Sequence, residues 1–165
     1  MTQETVGVIR QAESGDADRC GEIAVLAWQR VFDAWEALLG PVIFAQHYSG
    51  WQAGKRAEVV GLVREHPQRA IVTELDGEVV GFLTYYLPAT LGVGEIGNNA
   101  VHPDVQGRGI GERQCRRALD LFRELGLTSA TVYTGLDEGH APARAQYRKA
   151  GFGLSTPHIR YFMEL

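Results

Sequence analysis

Three glycines alternate in the segment Gln106–Gly111, where a strand-like run gives way to an amphipathic helix. Glycine accepts the left-handed backbone conformation and leaves the main-chain N–H groups open to another molecule. The first N–H groups of a helix have no partner inside the helix and carry partial positive charge, so they suit a phosphate. The segment therefore predicts a site for a phosphorylated cofactor, although ligand-free turns also use such glycines.

The spacing of the glycines excludes two common phosphate-binding loops. A Walker loop ends in Gly-Lys-Ser or Gly-Lys-Thr, and neither Lys-Ser nor Lys-Thr occurs in the chain. A dinucleotide fingerprint needs a third glycine at position 112 or 114, where the chain has Glu112 and Gln114. The cofactor is therefore expected to be neither a P-loop nucleotide nor a dinucleotide.

The pattern that does fit is Gln-x-x-Gly-x-Gly at Gln106–Gly111, preceded by Val-His-Pro-Asp at 101–104. It resembles the acyl-CoA-binding motif of the GNAT superfamily of N-acyltransferases. A second segment, Ala143–Phe152, resembles the Ala-x-x-x-Tyr-x-x-x-Gly-Phe signature of the same family and follows in the same order. The resemblance covers nearly the whole chain. It implies an N-acetyltransferase that moves an acetyl group from acetyl-CoA to a primary amine by direct transfer in a ternary complex.

The resemblance also implies how acetyl-CoA would be held. The amides of Gln106–Gly111 would bind the pyrophosphate, and the strand before them would splay from its neighbour and bind the pantetheine arm. Two positions depart from the family pattern, because Asn99 replaces an aliphatic residue and His140 replaces an asparagine. The implied cofactor contacts are Asn99, Ala100, Val101, Gln106, Gly107, Arg108, Gly109, Ile110, Gly111, Glu112, His140 and Ala143.

The transfer needs a neutral amine and a proton for the departing thiolate. Tyr147 matches the general-acid position of the family, and a tyrosine with a pKa of about 10 is protonated at pH 7. Glu95 is the candidate base, acting on the amine through a water. The alternatives are a tyrosine that only packs and a glutamate that is only solvated. Three histidines stay open as other bases, namely His47, His140 and His158.

Periodicity and turn residues predict an α/β fold with one mixed, mostly antiparallel sheet flanked by helices and splayed at the cofactor site, as the GNAT resemblance also implies. The Asp76-Gly77 pair predicts a tight hairpin, and residues 91–94 read as a flexible connection. The strands are predicted at 6–11, 70–75, 78–87, 95–101, 128–133 and 158–165, and the helices at 16–39, 109–125 and 142–150, with a weaker helical pattern over 42–66.

Composition limits the classes of function. At 165 residues, with 45% hydrophobic residues, the chain is expected to form one domain over residues 1–165. The net charge of −4 argues against a nucleic-acid surface. The two cysteines, Cys20 and Cys115, give neither a disulfide framework nor a metal-ligand spacing, so no metal is expected. Without a visible secretory signal or membrane span, the sequence predicts a cytoplasmic protein without membrane contact.

Several alternatives stay open from the sequence. A non-catalytic acyl-CoA-binding or regulatory module of the same fold would carry the same motifs, and a nucleotide-binding domain of another fold is a weaker alternative. The acceptor is expected to be a small-molecule amine or a peptide amine, with no feature that selects between them. The predicted last strand can lie at a sheet edge, so both a monomer and a homodimer are possible.

Overall fold

The computed structural model describes residues 7–89 and 92–165 of the chain. Its strands are β1 Val8–Gln11, β2 Ala70–Leu75, β3 Glu78–Tyr86, β4 Val93–Val101 and β5 Ser129–Val132. Its helices are α1 Ala17–Tyr48, α2 Trp51–Glu65, α3 Ile110–Glu124 and α4 Ala141–Ala150. The five strands form one sheet in chain order, with antiparallel pairs up to β4 and a parallel pair between β4 and β5. This is the mixed, mostly antiparallel sheet that the sequence predicts.

The hairpin between β2 and β3 turns at the residues that the sequence indicates. Asp76 has φ 53° and Gly77 has φ 83°, the two positive angles of a type I′ turn. Glycines also divide the first helical region. α1 is kinked at Gly40, where φ is 75°, and α2 begins after Gly50, where φ is 71°. Gly40 is not helical, so Gly40-Pro41 interrupts the helix at the position where the sequence predicts its end.

The core has two clusters on opposite sides of the sheet. The first joins α1 and α2 to the strand positions Val72 and Phe82, and the second joins α3 and α4 to the neighbouring positions Ile71 and Leu83. Successive strand residues point to opposite faces, so one sheet supports both helix pairs. The two clusters have no residue in common.

The fourth strand is longer than predicted. It begins at Val93, so residues 93 and 94 belong to the sheet and the prediction of a flexible connection there is wrong; Leu91 lies outside the described residues, as does Val6 at the start of the predicted first strand. A Cβ atom on Gly94 would lie 2.5 Å from the ring of Phe122. Gly94 thus permits close packing of α3 on the strand, a use of glycine that looks like a loop signal in sequence.

The predicted last strand, 158–165, does not form. Residues 152–165 adopt no helix or strand, and Ile159, Tyr161 and Met163 are exposed. A strand needs a neighbouring edge for its hydrogen bonds, and alternation in sequence does not supply one. Here Phe162 instead packs edge-on against His47 of α1, with ring centroids 5.2 Å apart.

None of the helices in the described ranges combines the length and the apolar character that a membrane crossing requires.

Candidate active site

The glycine segment has the backbone geometry that an anion site needs. Gly107 has φ 80° and Gly109 has φ 73°, and Gly109 is the N-cap of α3. A Cβ atom on either glycine would meet no atom within 4 Å, so open space lies over both. Gln106 donates from Nε2 to the carbonyl of Val101 at 2.9 Å, which ties the segment to the end of β4. The first N–H groups of α3 therefore lie beside a turn that is held in place and leaves open space for an anion.

The charged residues Arg108 and Glu112 differ in whether their side chains form ion pairs. Arg108 is exposed and forms no ion pair with the described residues. The carboxylate of Glu112, in contrast, binds Arg116 at 2.9 Å. Arg108 is thus available to an anion, while Glu112 can offer only its backbone N–H.

A gap in the sheet lies beside this segment. The pairing of β4 with β5 ends at Ile96 opposite Val132, and the antiparallel pairing with β3 continues to Val101 opposite Gly81. Residues 97–101 of β4 therefore have no strand on the β5 side among the described residues. This is the splay that the sequence predicts for the pantetheine arm.

Asn99 and Ala100 occupy different environments in this gap. The Asn99 side chain donates from Nδ2 to the carbonyl of Gly111 at 3.3 Å, while its buried Oδ1 has no partner among the described residues. An unpaired buried acceptor costs free energy, so Oδ1 suits an N–H donor from a ligand. Ala100 is 4% exposed and packs in the first core cluster, so it can contribute only its backbone. A pantetheine arm, with amide donors and acceptors, fits such an edge.

Tyr147 lies in the second core cluster, near Cys115. Its ring packs edge-on against Phe152, with centroids 6.0 Å apart. Burial raises the pKa of Tyr147, and the neighbouring Cys115 adds to the rise. The hydroxyl donates to none of the described residues and stays protonated at neutral pH. Ala143, one turn earlier on α4, packs against the same cluster with only a methyl side chain.

Glu95 is half-buried on β4, opposite Tyr86 of β3 and Thr131 of β5. The pKa of Tyr86 is raised by burial first and then by the negative charges of Glu58 and Glu95. Glu58 is bound by Lys55 at 2.8 Å, so Glu95 is the carboxylate beside Tyr86 whose charge favours a cationic group there.

Sequence reasoning missed a polar network between α2 and β4. Lys55 donates to Asn98 Oδ1 at 3.0 Å and to Glu58 at 2.8 Å, and Asn98 donates to Glu58 at 3.0 Å. The Lys55 ammonium also lies 4.6 Å from the centre of the Trp28 ring. The Lys-x-x-Glu spacing is visible in sequence, but it also suits an ordinary exposed helix pair. Only the fold shows that this pair reaches the sheet next to the gap.

An aromatic cluster forms the wall on the α1 side. Phe32 stacks on Trp51 with centroids 4.0 Å apart, and Trp35 lies 4.9 Å from Tyr48. A cavity of about 240 Å³ adjoins these rings. Its lining includes Gln29, Asp33, Glu36, Phe44, Tyr48 and Trp51. This wall is both aromatic and acidic.

His140 stands at the N-cap of α4, two helical turns before Tyr147 on the same face. Its Nδ1 lies 2.8 Å from Oδ2 of Asp137, a residue that the sequence analysis did not single out. Asp137 is the N-cap of the short 3-10 helix Glu138–His140, and an aspartate at such a position is a capping signal that could have drawn attention to it. Of the other histidines, His47 packs against Phe162 and His158 is exposed.

Comparison with known proteins agrees with this fold and site. Residues 28–152 match the profile of the acetyltransferase (GNAT) family. Because the match covers most of the sequence, the chain belongs to the GNAT acetyltransferase family, whose members use acetyl-CoA. The family predicted from the two motifs is thereby confirmed.

Solved structures confirm the fold class. The PaiA N-acetyltransferase of Thermoplasma acidophilum in complex with coenzyme A superposes with a TM-score of 0.70 at 16% identity, covering 93% of both chains. A GNAT family acetyltransferase of Brucella melitensis in complex with acetyl-CoA gives 0.61 at 23% identity, with the same coverage. At these identities the likeness concerns the fold.

Curated relatives include proteins named mycothiol acetyltransferase. That of Streptomyces avermitilis is 30% identical over 98 residues, which are 59% of this chain and 31% of the relative. That of Saccharomonospora viridis is 37% identical over 93 residues, which are 52% of this chain and 30% of the relative. The chain spans about a third of the length of these relatives.

Proposed function

We propose that the protein transfers an acetyl group from acetyl-CoA to a primary amine, directly and without an acyl-enzyme. The observation that carries this proposal is the gap between β4 and β5 beside the glycine turn of α3. The turn offers backbone N–H groups to a pyrophosphate, and the open edge of β4 offers amides to a pantetheine arm. Membership of the GNAT family and the acetyltransferase relatives support the same activity.

The proposed cofactor contacts fall into three groups. The turn and the first residues of α3 hold the pyrophosphate, with Arg108 as the charged contact. The open edge of β4 holds the arm and can donate an N–H to the oxyanion of the tetrahedral intermediate. The start of α4 forms the opposite wall. The residues proposed are Gln106, Gly107, Arg108, Gly109, Ile110, Gly111 and Glu112, then Asn99, Ala100 and Val101, and finally His140 and Ala143.

Two side chains are proposed to act on the reacting groups. Glu95 draws the ammonium of the acceptor towards the gap and orients the water through which its proton leaves. The neutral amine forms a bond to the thioester carbon, and the carbon–sulfur bond breaks. Tyr147 donates its hydroxyl proton to the departing thiolate and regains a proton from the amine nitrogen. The products are an N-acetylated amine, free coenzyme A and one proton.

The acceptor is proposed to be a small-molecule amine or a peptide amine that carries positive charge. The Glu95 carboxylate opposite Tyr86 and the aromatic, acidic wall of α1 favour such a group. The chain is proposed to act as a single domain, as a monomer or a homodimer.

Thiol release tests the function. The protein is mixed with acetyl-CoA and with pools of polyamines, amino acids, aminoglycosides and short peptides, and free coenzyme A is measured with a thiol reagent. Amine-dependent release is expected with at least one pool. Saturable acetyl-CoA binding without release from any pool would favour the binding module over the enzyme.

Glu95→Gln is expected to lower kcat/KM for the amine by about tenfold or more, because it removes the negative charge that attracts the ammonium. The affinity for acetyl-CoA should stay unchanged. The measurement is steady-state thiol release with the active amine varied. Glu78→Gln, at the exposed start of β3, is the matched control. Equal rates for the two variants would remove Glu95 from the site.

Direct transfer also requires that no cysteine becomes acylated. Cys20 and Cys115 are both fully buried, and burial raises the pKa of each thiol to about 12. At pH 8 only about one thiol in ten thousand is then ionised. We expect both thiols to react with a disulfide reagent only after denaturation, and mass spectrometry to find no acetylated cysteine during turnover. A rapidly reacting thiol in the folded protein would contradict this.

A further inference from the structure

A carboxylate and an imidazole form a shielded pair at the entrance to α4. His140 Nδ1 lies 2.8 Å from Asp137 Oδ2, and the His140 backbone N–H donates to Asp137 Oδ1 at 3.1 Å. The two side chains are 18% and 17% exposed. An ionised carboxylate only accepts hydrogen bonds, so the ring nitrogen that faces it carries a proton. In the neutral ring the other nitrogen, Nε2, then presents a lone pair.

A third residue holds the carboxylate from α1. Trp35 donates from Nε1 to Asp137 Oδ2 at 3.1 Å. Burial alone would raise the pKa of Asp137, but the hydrogen bonds from Trp35 and His140 outweigh it and lower the pKa. The backbone is packed tightly here, because a Cβ atom on Gly139 would lie 2.7 Å from Cα of Val31. A simple helix cap needs neither the indole nor the imidazole.

The pair lies in the turn between β5 and α4 and packs against α1. It follows the end of β5, at Val132, where the pairing with β4 stops. Along α4 its imidazole shares a face with Tyr147. Across from it the Trp35 ring lies 5.9 Å from the His140 ring and 4.9 Å from Tyr48, which lines the cavity. The Trp35 ring therefore packs beside both the imidazole and Tyr48, one of the residues that line the cavity.

We propose that His140 is the group that takes the proton of the acceptor ammonium, with Asp137 and Trp35 as its positioning residues. This assignment rests on the proposed acetyl transfer. The N–H bond of the ammonium breaks and its proton goes to Nε2, directly or through the water that Glu95 orients. The freed electron pair of the nitrogen attacks the thioester carbon. The imidazolium later releases its proton to solvent, so one proton leaves per turnover.

The chemistry of imidazole and carboxylate favours His140 over Glu95 as the group that takes the proton. Imidazole is a stronger base than a carboxylate, so a histidine is the better acceptor for the proton of an amine. A carboxylate next to the ring stabilises the charged form after the transfer, as it does in other carboxylate–imidazole pairs.

Among the described residues, the His140 imidazole has one hydrogen-bonding partner, Asp137. Arg144 is occupied, since its Nη1 donates to the carbonyls of Gly135 and Asp137, both at 2.7 Å. The elements packed around the pair also carry other titratable or charged residues, among them Arg30, Asp33, Glu36, His47 and Tyr48 on α1, Glu138 before α4, and Tyr147, Arg148 and Lys149 on α4.

The test compares His140→Asn with the wild type, using the probe amine that releases the most thiol in the pools. The asparagine keeps a polar side chain at this position but cannot hold the proton. We expect kcat to fall about a hundredfold and the acidic limb of the kcat/KM profile to disappear, a loss larger than any accompanying rise in the Kd for acetyl-CoA, which His140 also contacts in the proposed function. Asp137→Asn should lower kcat as well, with little change in KM for the amine, because it removes the carboxylate that orients the ring through Nδ1. His66→Asn, at the exposed end of α2, is the matched control.

Each outcome decides between the two proposals. An active wild type together with a His140→Asn variant that keeps its rate and its acidic limb overturns the assignment of His140 alone. If the limb stays and only acetyl-CoA affinity falls, His140 is a cofactor contact and the assignment is again overturned. A wild type that binds acetyl-CoA but releases no thiol with any probe overturns the acetyl transfer and this assignment together.

Discussion

Tyr147→Phe is expected to lower kcat by about a hundredfold or more while the Kd for acetyl-CoA changes less than about twofold. The hydroxyl forms no hydrogen bond with the described residues, so its loss leaves the buried ring and the packing against Phe152 intact. What is lost is the proton for the departing thiolate. Steady-state thiol release and calorimetric titration with acetyl-CoA measure the two quantities separately.

The pH profile adds a second check on Tyr147. Because burial and the neighbouring Cys115 raise its pKa above the ordinary value of about 10, the hydroxyl stays protonated through neutral and mildly alkaline pH. The wild-type rate should therefore show no alkaline loss from this group below about pH 10. Tyr133→Phe is the matched control, since Tyr133 is 76% exposed. A Tyr147→Phe variant with the wild-type rate would assign the acid to another group.

Gly109→Ala is expected to weaken acetyl-CoA binding by about tenfold to a hundredfold, through the loss of charge-assisted hydrogen bonds to the pyrophosphate. The added methyl group would enter the open space over the turn, and the left-handed backbone, with φ 73°, would resist any side chain. The strain should lower the free energy of unfolding by about 1–2 kcal/mol. Calorimetry with acetyl-CoA and chemical denaturation measure the two effects.

Gly126→Ala separates strain from binding. Gly126 lies just beyond the other end of α3, has φ 76° and likewise has no atom within 4 Å of a Cβ position. The Gly126→Ala variant should therefore lose about as much stability as Gly109→Ala and still bind acetyl-CoA with the wild-type affinity. If both variants lose the same affinity, the turn of Gly109 has no special part in binding the cofactor.

Most of the fold could be predicted from local patterns in the sequence. Asp76-Gly77 specified a hairpin because two positive φ angles are accessible to so few residue pairs. The family and the fold class followed from two motifs whose order along the chain matched a known pattern, and both are confirmed. The roles of the site residues Glu95 and Tyr147 stay predictions, although the structure shows their environments.

What sequence reasoning missed depends on contacts between distant parts of the chain. Gly94 looked like part of a loop, and only its position beneath Phe122 explains a glycine inside a strand. Alternation in 158–165 indicated a strand, but no sheet edge pairs with that segment. Asp137 was not singled out from the sequence, because only the fold brings Trp35, 102 positions earlier, close enough to donate to it. Such pairings are set by tertiary packing and leave no local pattern.

The division of the core into two clusters without a common residue bears on how the protein can change. On the proposed function, the donor is held by α3, α4 and the edge of β4, while α1 and α2 form the acceptor wall. Substitutions on α1 and α2 that avoid Val31 and Trp35, α1 residues that touch the 137–140 turn, would then alter the choice of amine without disturbing the packing behind the cofactor. On that function, evolution or design would vary the amine specificity of this scaffold with little effect on its acyl donor.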